Sequence, residues 1–169
     1  MYSLNVPVPS QVAALASDIA AELPMARART RGEHTLGVKR LGGTTGAYDR
    51  LEARTRELLR GQPAFNVRIS RVDIFENPPV GSAPVVYLAV ESPGLVELHE
   101  RLAEVFDPVN TQIEGEGYTP HVTVARGGSL ESAEQAASRK IEPVKWSVSE
   151  LVFWDAKHSQ TVSSVSLPA

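Results

Sequence analysis

A chain of 169 residues with 42% hydrophobic and 22% charged side chains has the makeup of a folded globular protein, large enough for one domain or two half-size lobes on a shared core. It contains no cysteine, which excludes disulfides, thiolate metal sites and a cysteine nucleophile together. A net charge of −3 argues against gripping a long nucleic acid through its phosphates, and points to a local basic pocket and a short substrate. No run of about 18 apolar residues marks a membrane span. The opening residues Met1 to Pro7 lack the basic start and apolar stretch of a secretory signal, so a cytoplasmic location is the default expectation.

Along the chain, Tyr2 to Val8 reads as a first strand. Ser10 is a candidate helix cap, and Val12, Leu15, Ala16, Ile19, Ala20 and Leu23 recur at helical spacing until Pro24 stops them. Glu33 to Leu41 reads as a strand, closed by Gly42-Gly43, and a polar helix follows over Ala47 to Arg60. Phe65, Val67 and Ile69 alternate with polar residues and resume out of phase at Val72 and Ile74, which predicts a bulge near Ser70-Arg71. Val85 to Val90 reads as a central strand, and Ser92-Pro93 opens a helix whose Leu95, Leu98, Leu102 and Val105 face the core. Gly115 to Gly117 is a loop. His121 to Ala125 is a strand, followed by Gly127-Gly128 and a short helix capped by Ser129. Lys145 to Trp154 and Thr161 to Leu167 are the last two strands.

Interleaved helices and strands with hairpin-type pairing imply an α+β protein with helices outside antiparallel sheets. The two halves share a layout: a helix leads to a strand with a histidine near its start, then Gly-Gly, then another helix. No linker separates them, so residues 1–169 read as a single domain of two related, interleaved lobes.

His34 and His121 hold the equivalent places. If the lobes pack about a pseudo-twofold axis, the two imidazoles can meet across a cleft. Histidine suits proton traffic because its ordinary pKa of ~6.5 lets it take or give a proton near neutrality. In His121-Val122-Thr123-Val124, strand alternation puts His121 and Thr123 on one face and the valines in the core. His99 lies beside an apolar helical stripe and reads as packing, as do Trp146 and Trp154. Tyr2 and Phe75 are candidates for the cleft lining, with core packing the stronger reading. His158 falls in a turn.

Pro120-His121-Val122-Thr123-Val124-Ala125-Arg126 resembles the second motif of the 2H phosphoesterases, in the LigT-like branch of 2′-5′ RNA ligases and RNA 2′,3′-cyclic phosphodiesterases. Arg31-Gly32-Glu33-His34-Thr35-Leu36 resembles the first motif, and Val85 to Val90 with Leu95 to Phe106 resembles the strand and helix between them. The resemblance implies a LigT-like fold of two pseudo-symmetric lobes lining a central cleft. It also implies acid/base catalysis by His34 and His121 without a cofactor or metal, on a short RNA or nucleotide substrate, with no membrane or protein partner. Phosphate binding falls to Thr35 and Thr123, and by analogy to Arg126, with Tyr118 placed to stack on a base.

The first motif departs from the family's histidine followed two residues later by Ser or Thr. On a regular strand Thr35 would face away from His34 and Leu36 would face the cleft. Either a bulge re-aims Thr35, or Lys39, Arg40 or Thr44 replaces it at the phosphate. Two competing readings follow: a phosphate- or RNA-end-binding protein of the same fold without turnover, and a metal hydrolase using the two histidines with Glu33.

Overall fold

The protein is described over residues 1–169 by a computed structural model. Nine strands form one curled sheet: β1 (Tyr2–Val6), β2 (Arg27–Ala28), β3 (Leu36–Gly42), β4 (Phe65–Phe75), β5 (Val85–Glu91), β6 (His121–Arg126), β7 (Val144–Val148), β8 (Glu150–Asp155) and β9 (Gln160–Ser166). Four helices pack outside it: α1 (Ser10–Ala20), α2 (Tyr48–Leu58), α3 (Pro93–Ala103) and α4 (Leu130–Ala137). The strand order is β7-β4-β5-β6-β3-β1-β8-β9, all antiparallel, with β2 added to β6. This is the α+β, helices-outside architecture that the interleaved pattern implies. No helix is long and apolar enough to cross a membrane.

Two four-stranded halves meet between β6 and β3, where the ladder is a single pair, Leu36 opposite Val122. Two of the helices cross this seam. α1 leaves β1 in one half and packs on β6 in the other, while α3 leaves β5 and packs on β3. One apolar cluster of 32 buried residues runs through both halves, from Leu4 and Phe153 to Ile69 and Leu88.

Several local expectations hold. The Ser92 hydroxyl accepts from the Leu95 amide at 3.2 Å with Pro93 in the first turn of α3, and Ser129 accepts from Ser132 N at 3.1 Å to start α4. The β4–β5 register shifts between Ile69 and Arg71, where the apolar phase breaks.

Others need correction. Ser10 is the first residue of α1 rather than its cap; Pro9 holds that position, with no side-chain hydrogen bond. Residues expected as one strand from Lys145 to Trp154 divide at Ser149: β7 pairs with β4 in one half and β8 with β1 in the other. A ten-residue run cannot serve both halves of a curled sheet without this break. β3 starts at Leu36, so Glu33, His34 and Thr35 lie in the preceding loop. The loop forms because a short piece, β2, already occupies that edge of β6: Arg29 N–H donates to Val124 O at 3.0 Å.

Candidate active site

The β3–β6 seam is the floor of the site. In an antiparallel ladder the chains step in opposite directions. Beyond the pair Leu36–Val122, Thr35 therefore lies toward Thr123, and Gly37 toward His121. Leu36 and Val122 are both fully buried in the core. Leu36 thus does not face the cleft, which corrects the regular-strand expectation. Thr35 ends the loop before β3, one residue short of the ladder.

His121 opens β6 and is half-buried. Its Nδ1–H donates to the Thr119 carbonyl at 2.7 Å, which fixes the ring and leaves Nε2 free. Phe75 and Tyr87 stack on each other with centroids 4.0 Å apart, and both meet the imidazole edge-on, at 5.3 and 5.5 Å. Phe75 thus stands at the site, half-buried beside His121, rather than serving only as core packing. Burial pushes the His121 pKa down, its bond to Thr119 pushes it up, and the guanidiniums of Arg126, Arg29 and Arg40 push it down again.

His34 is 8% exposed, and its Nδ1 is sealed from solvent without a hydrogen-bond partner. Burial first, and the Arg29 charge second, hold its pKa below the ordinary value. Arg29 acts electrostatically on both imidazoles, so it lies within Coulombic reach of each. Native structures leave few buried polar atoms unpaired, and a functional site is one of the places where they occur.

The arginines around His121 come from three elements. Arg126 ends β6, with its guanidinium donating to Val80 O at 2.9 Å; Arg40 lies on β3 opposite Ser3; Arg29 follows β2. Arg29 and Arg40 depress the Arg126 pKa further, after burial. None of the three takes part in a salt bridge. Like charges gathered outside any salt bridge make this rim electropositive.

Two expected phosphate or base contacts lie elsewhere. Lys39 is sealed under α3, its side chain 0% exposed, in an ion pair with Glu114 and with its ammonium also donating to Arg40 O and Asp107 O. A β3 irregularity opposite Leu4 and Asn5 turns Lys39 to the core side and Arg40 outward. Tyr118 stacks on His99, centroids 3.8 Å apart and 9° from parallel, and its hydroxyl donates to Gly37 O at 2.7 Å. It braces the loop that delivers His121, with one ring face already covered. His99 is buried, as expected of a packing histidine, with Nδ1–H on Val38 O and Nε2 accepting from Gly115 N–H. His158 is exposed and pairs with Asp155. No three His, Asp or Glu side chains converge closely enough to hold a metal ion.

Sequence reasoning gives Arg29 no role of its own and ranks core packing ahead of cleft lining for Phe75. Arg29 follows an edge strand two residues long, too short to carry a periodic signal. Phase along β4 did put Phe75 opposite Ile74, a cue that it leaves the core face.

A curled antiparallel sheet in two halves, each contributing a histidine-bearing segment to the seam, with helices outside, defines a LigT-like 2H phosphoesterase fold. The chain belongs to the 2′-5′ RNA ligase superfamily, whose family model matches residues 36–160. Solved structures agree on the fold. TT0787 of Thermus thermophilus matches with a TM-score of 0.66 at 17% identity, over 98% of this chain and 97% of that one. E. coli LigT complexed with ATP gives 0.66 at 16% identity, over 99% and 97%. The same protein complexed with 3′-AMP gives 0.61 at 17% identity, over 99% and 98%. A search of curated protein sequences finds no match.

Proposed function

We propose that the protein is a metal-independent phosphodiesterase that opens a 2′,3′-cyclic phosphate at an RNA or nucleotide end, or acts on a 2′-5′ linkage. The observation that carries this reading is the cluster of three arginines, none in a salt bridge, gathered around a histidine whose Nε2 is free. Arg40 and Arg126 hold the phosphate, and the Thr35 and Thr123 hydroxyls add hydrogen bonds to its oxygens as charge develops. E. coli LigT, the same fold, is seen with ATP, NADP+ and 3′-AMP, all phosphate-bearing nucleotides.

Hydrogen bonding sets the two rings apart. A general acid must carry protons on both ring nitrogens before it acts. His121 supports that state, because its Nδ1–H is already taken up by Thr119 O. His34 does not, because a proton on its sealed Nδ1 has no acceptor, and an unmet buried donor costs about 1–3 kcal/mol. A base that takes a proton at Nε2 ends in that same doubly protonated state, so the sealed Nδ1 of His34 carries this cost in either role. One histidine takes the proton of the attacking water and the other, charged, protonates the departing ribose oxygen. The bond from water oxygen to phosphorus forms as the phosphorus–ribose oxygen bond breaks, giving a phosphomonoester.

The sealed His34 Nδ1 also favours a second reading. With that nitrogen unprotonated, the ring is a neutral Nε2–H donor to a bound phosphate, and the protein binds without turnover. A nucleoside 2′,3′-cyclic phosphate incubated with the protein and excess chelator separates the two. Catalysis predicts a phosphomonoester product, with His34→Ala and His121→Ala each losing roughly 10²-fold or more in kcat. Full rate in either variant rejects the two-histidine mechanism. Saturable binding with no product after long incubation selects the binding protein.

A further inference from the structure

The geometry points to a second phosphate-binding subsite on β2, formed by Arg27 and Arg29 beside the proposed reacting site, so that the preferred ligand carries at least two phosphate groups. The inference rests on the nucleotide reading above and narrows its substrate class.

A cyclic phosphodiester bears one negative charge. Arg40 and Arg126 alone already exceed it, and Arg29 stands within range of both histidines as well. Arg29 follows β2, and its N–H still bonds to Val124 O, so the extended pairing runs on through it; with Ala28 between them, Arg27 and Arg29 fall on the same side, about 6.6 Å apart along the chain. Both residues are exposed, and neither is in a salt bridge. Arg27 is also directly opposite Arg126 in the β2–β6 register. Like charges opposite each other in a ladder are destabilising. The chain has 20 acidic residues, yet the surplus charge at this edge is left uncompensated. An anion supplied from outside removes the conflict. Because β2 is built onto the edge of the strand that carries His121 and Thr123, such an anion lies next to the first phosphate. The second phosphate has two sources: the neighbouring phosphate of an oligonucleotide, or a 5′-phosphate on a mononucleotide.

Calorimetric titration of the intact protein tests this with three ligands: a nucleoside 3′-monophosphate, the matching 3′,5′-bisphosphate, and a dinucleotide ending in a 3′-phosphate. At least one two-phosphate ligand is expected to bind roughly tenfold more tightly than the monophosphate, since hydrogen bonds to charged groups are the stronger class. Whichever of them gains identifies the source. In Arg27→Gln, and more fully in Arg27→Gln/Arg29→Gln, the ratio between that ligand and the monophosphate should fall toward one while circular dichroism stays unchanged. Equal affinities in the unmodified protein, or an unchanged ratio in the double variant, overturn the subsite and leave the nucleotide reading standing. No affinity for any of the three overturns both.

Discussion

His34 and His121 differ in what the second ring nitrogen touches, but burial and nearby arginines act on both and fix a common pH signature. Both pKa values lie below the ordinary ~6.5, His34 by burial and then Arg29, His121 by burial and then the guanidiniums of Arg126, Arg29 and Arg40. The histidine acting as base must be neutral, so activity falls as pH drops through its lowered value. The histidine acting as acid must be charged, so activity falls as pH rises through its own. The profile of kcat/KM, which reports the free protein, should therefore peak on the acid side of ~6.5. A bound phosphate anion offsets the arginines, so the alkaline limb of kcat should lie at higher pH. Arg40→Gln removes one of the charges that lower His121, so it should move upward the limb of kcat/KM that His121 sets and thereby assign its role; two limbs that both stay put would show that His121 is not a group being read. At this scale the sequence was legible where strand alternation applied, as for His121 and Thr123. It misled at His34-Thr35-Leu36, because alternation was applied to residues that precede their strand.

The loop between α3 and β6 is held by side chains whose roles no local pattern reveals. Lys39 and Glu114 form a buried pair 75 positions apart, and Tyr118 bridges His99 to Gly37. Periodicity shows that a position is buried, not what meets it there, so an exposed-looking Lys-Arg dipeptide hid one core cation and one cleft cation. Lys39→Ala leaves the Glu114 carboxylate buried without its partner and should destabilise the fold by roughly 3–5 kcal/mol. Lys39→Met/Glu114→Leu removes both charges and should recover most of that loss. Urea midpoints compare the two; a double variant no better than the single would mean that the pair stabilises by more than mutual neutralisation. The helix caps at Ser92 and Ser129 and the β4 bulge were legible because each has a local chemical cause within a few residues. The division at Ser149 was not, since it follows from which half of the sheet each strand joins.

For the whole molecule, the buried histidines make stability depend on pH. Burial lowers the His99 pKa first, opposed by its bond to Val38, and both ring nitrogens are already committed in the neutral form. Below ~6.5 the unfolded chain binds protons that folded His34, His99 and His121 resist, so stability is full above that pH and declines as pH falls through the folded-state values. Urea midpoints at pH 7.5 and 5.0 should show the decline. His99→Phe, less stable at pH 7.5, should lose less on acidification; an equal loss would place the proton uptake elsewhere. The α+β class and the twofold layout were legible from element order. The crossing of α1 and α3 over the seam was not, because it depends on which sheet face each helix finds after the chain has collapsed.

Only the Leu36–Val122 pair joins β3 to β6 directly, so backbone pairing gives the two banks of the cleft little grip on each other. A phosphate held by Arg40 from one bank and Arg126 from the other would act as a clasp across that hinge line. Ligand occupancy should then stiffen the protein from its middle outward, slowing amide exchange on both sides of the crease.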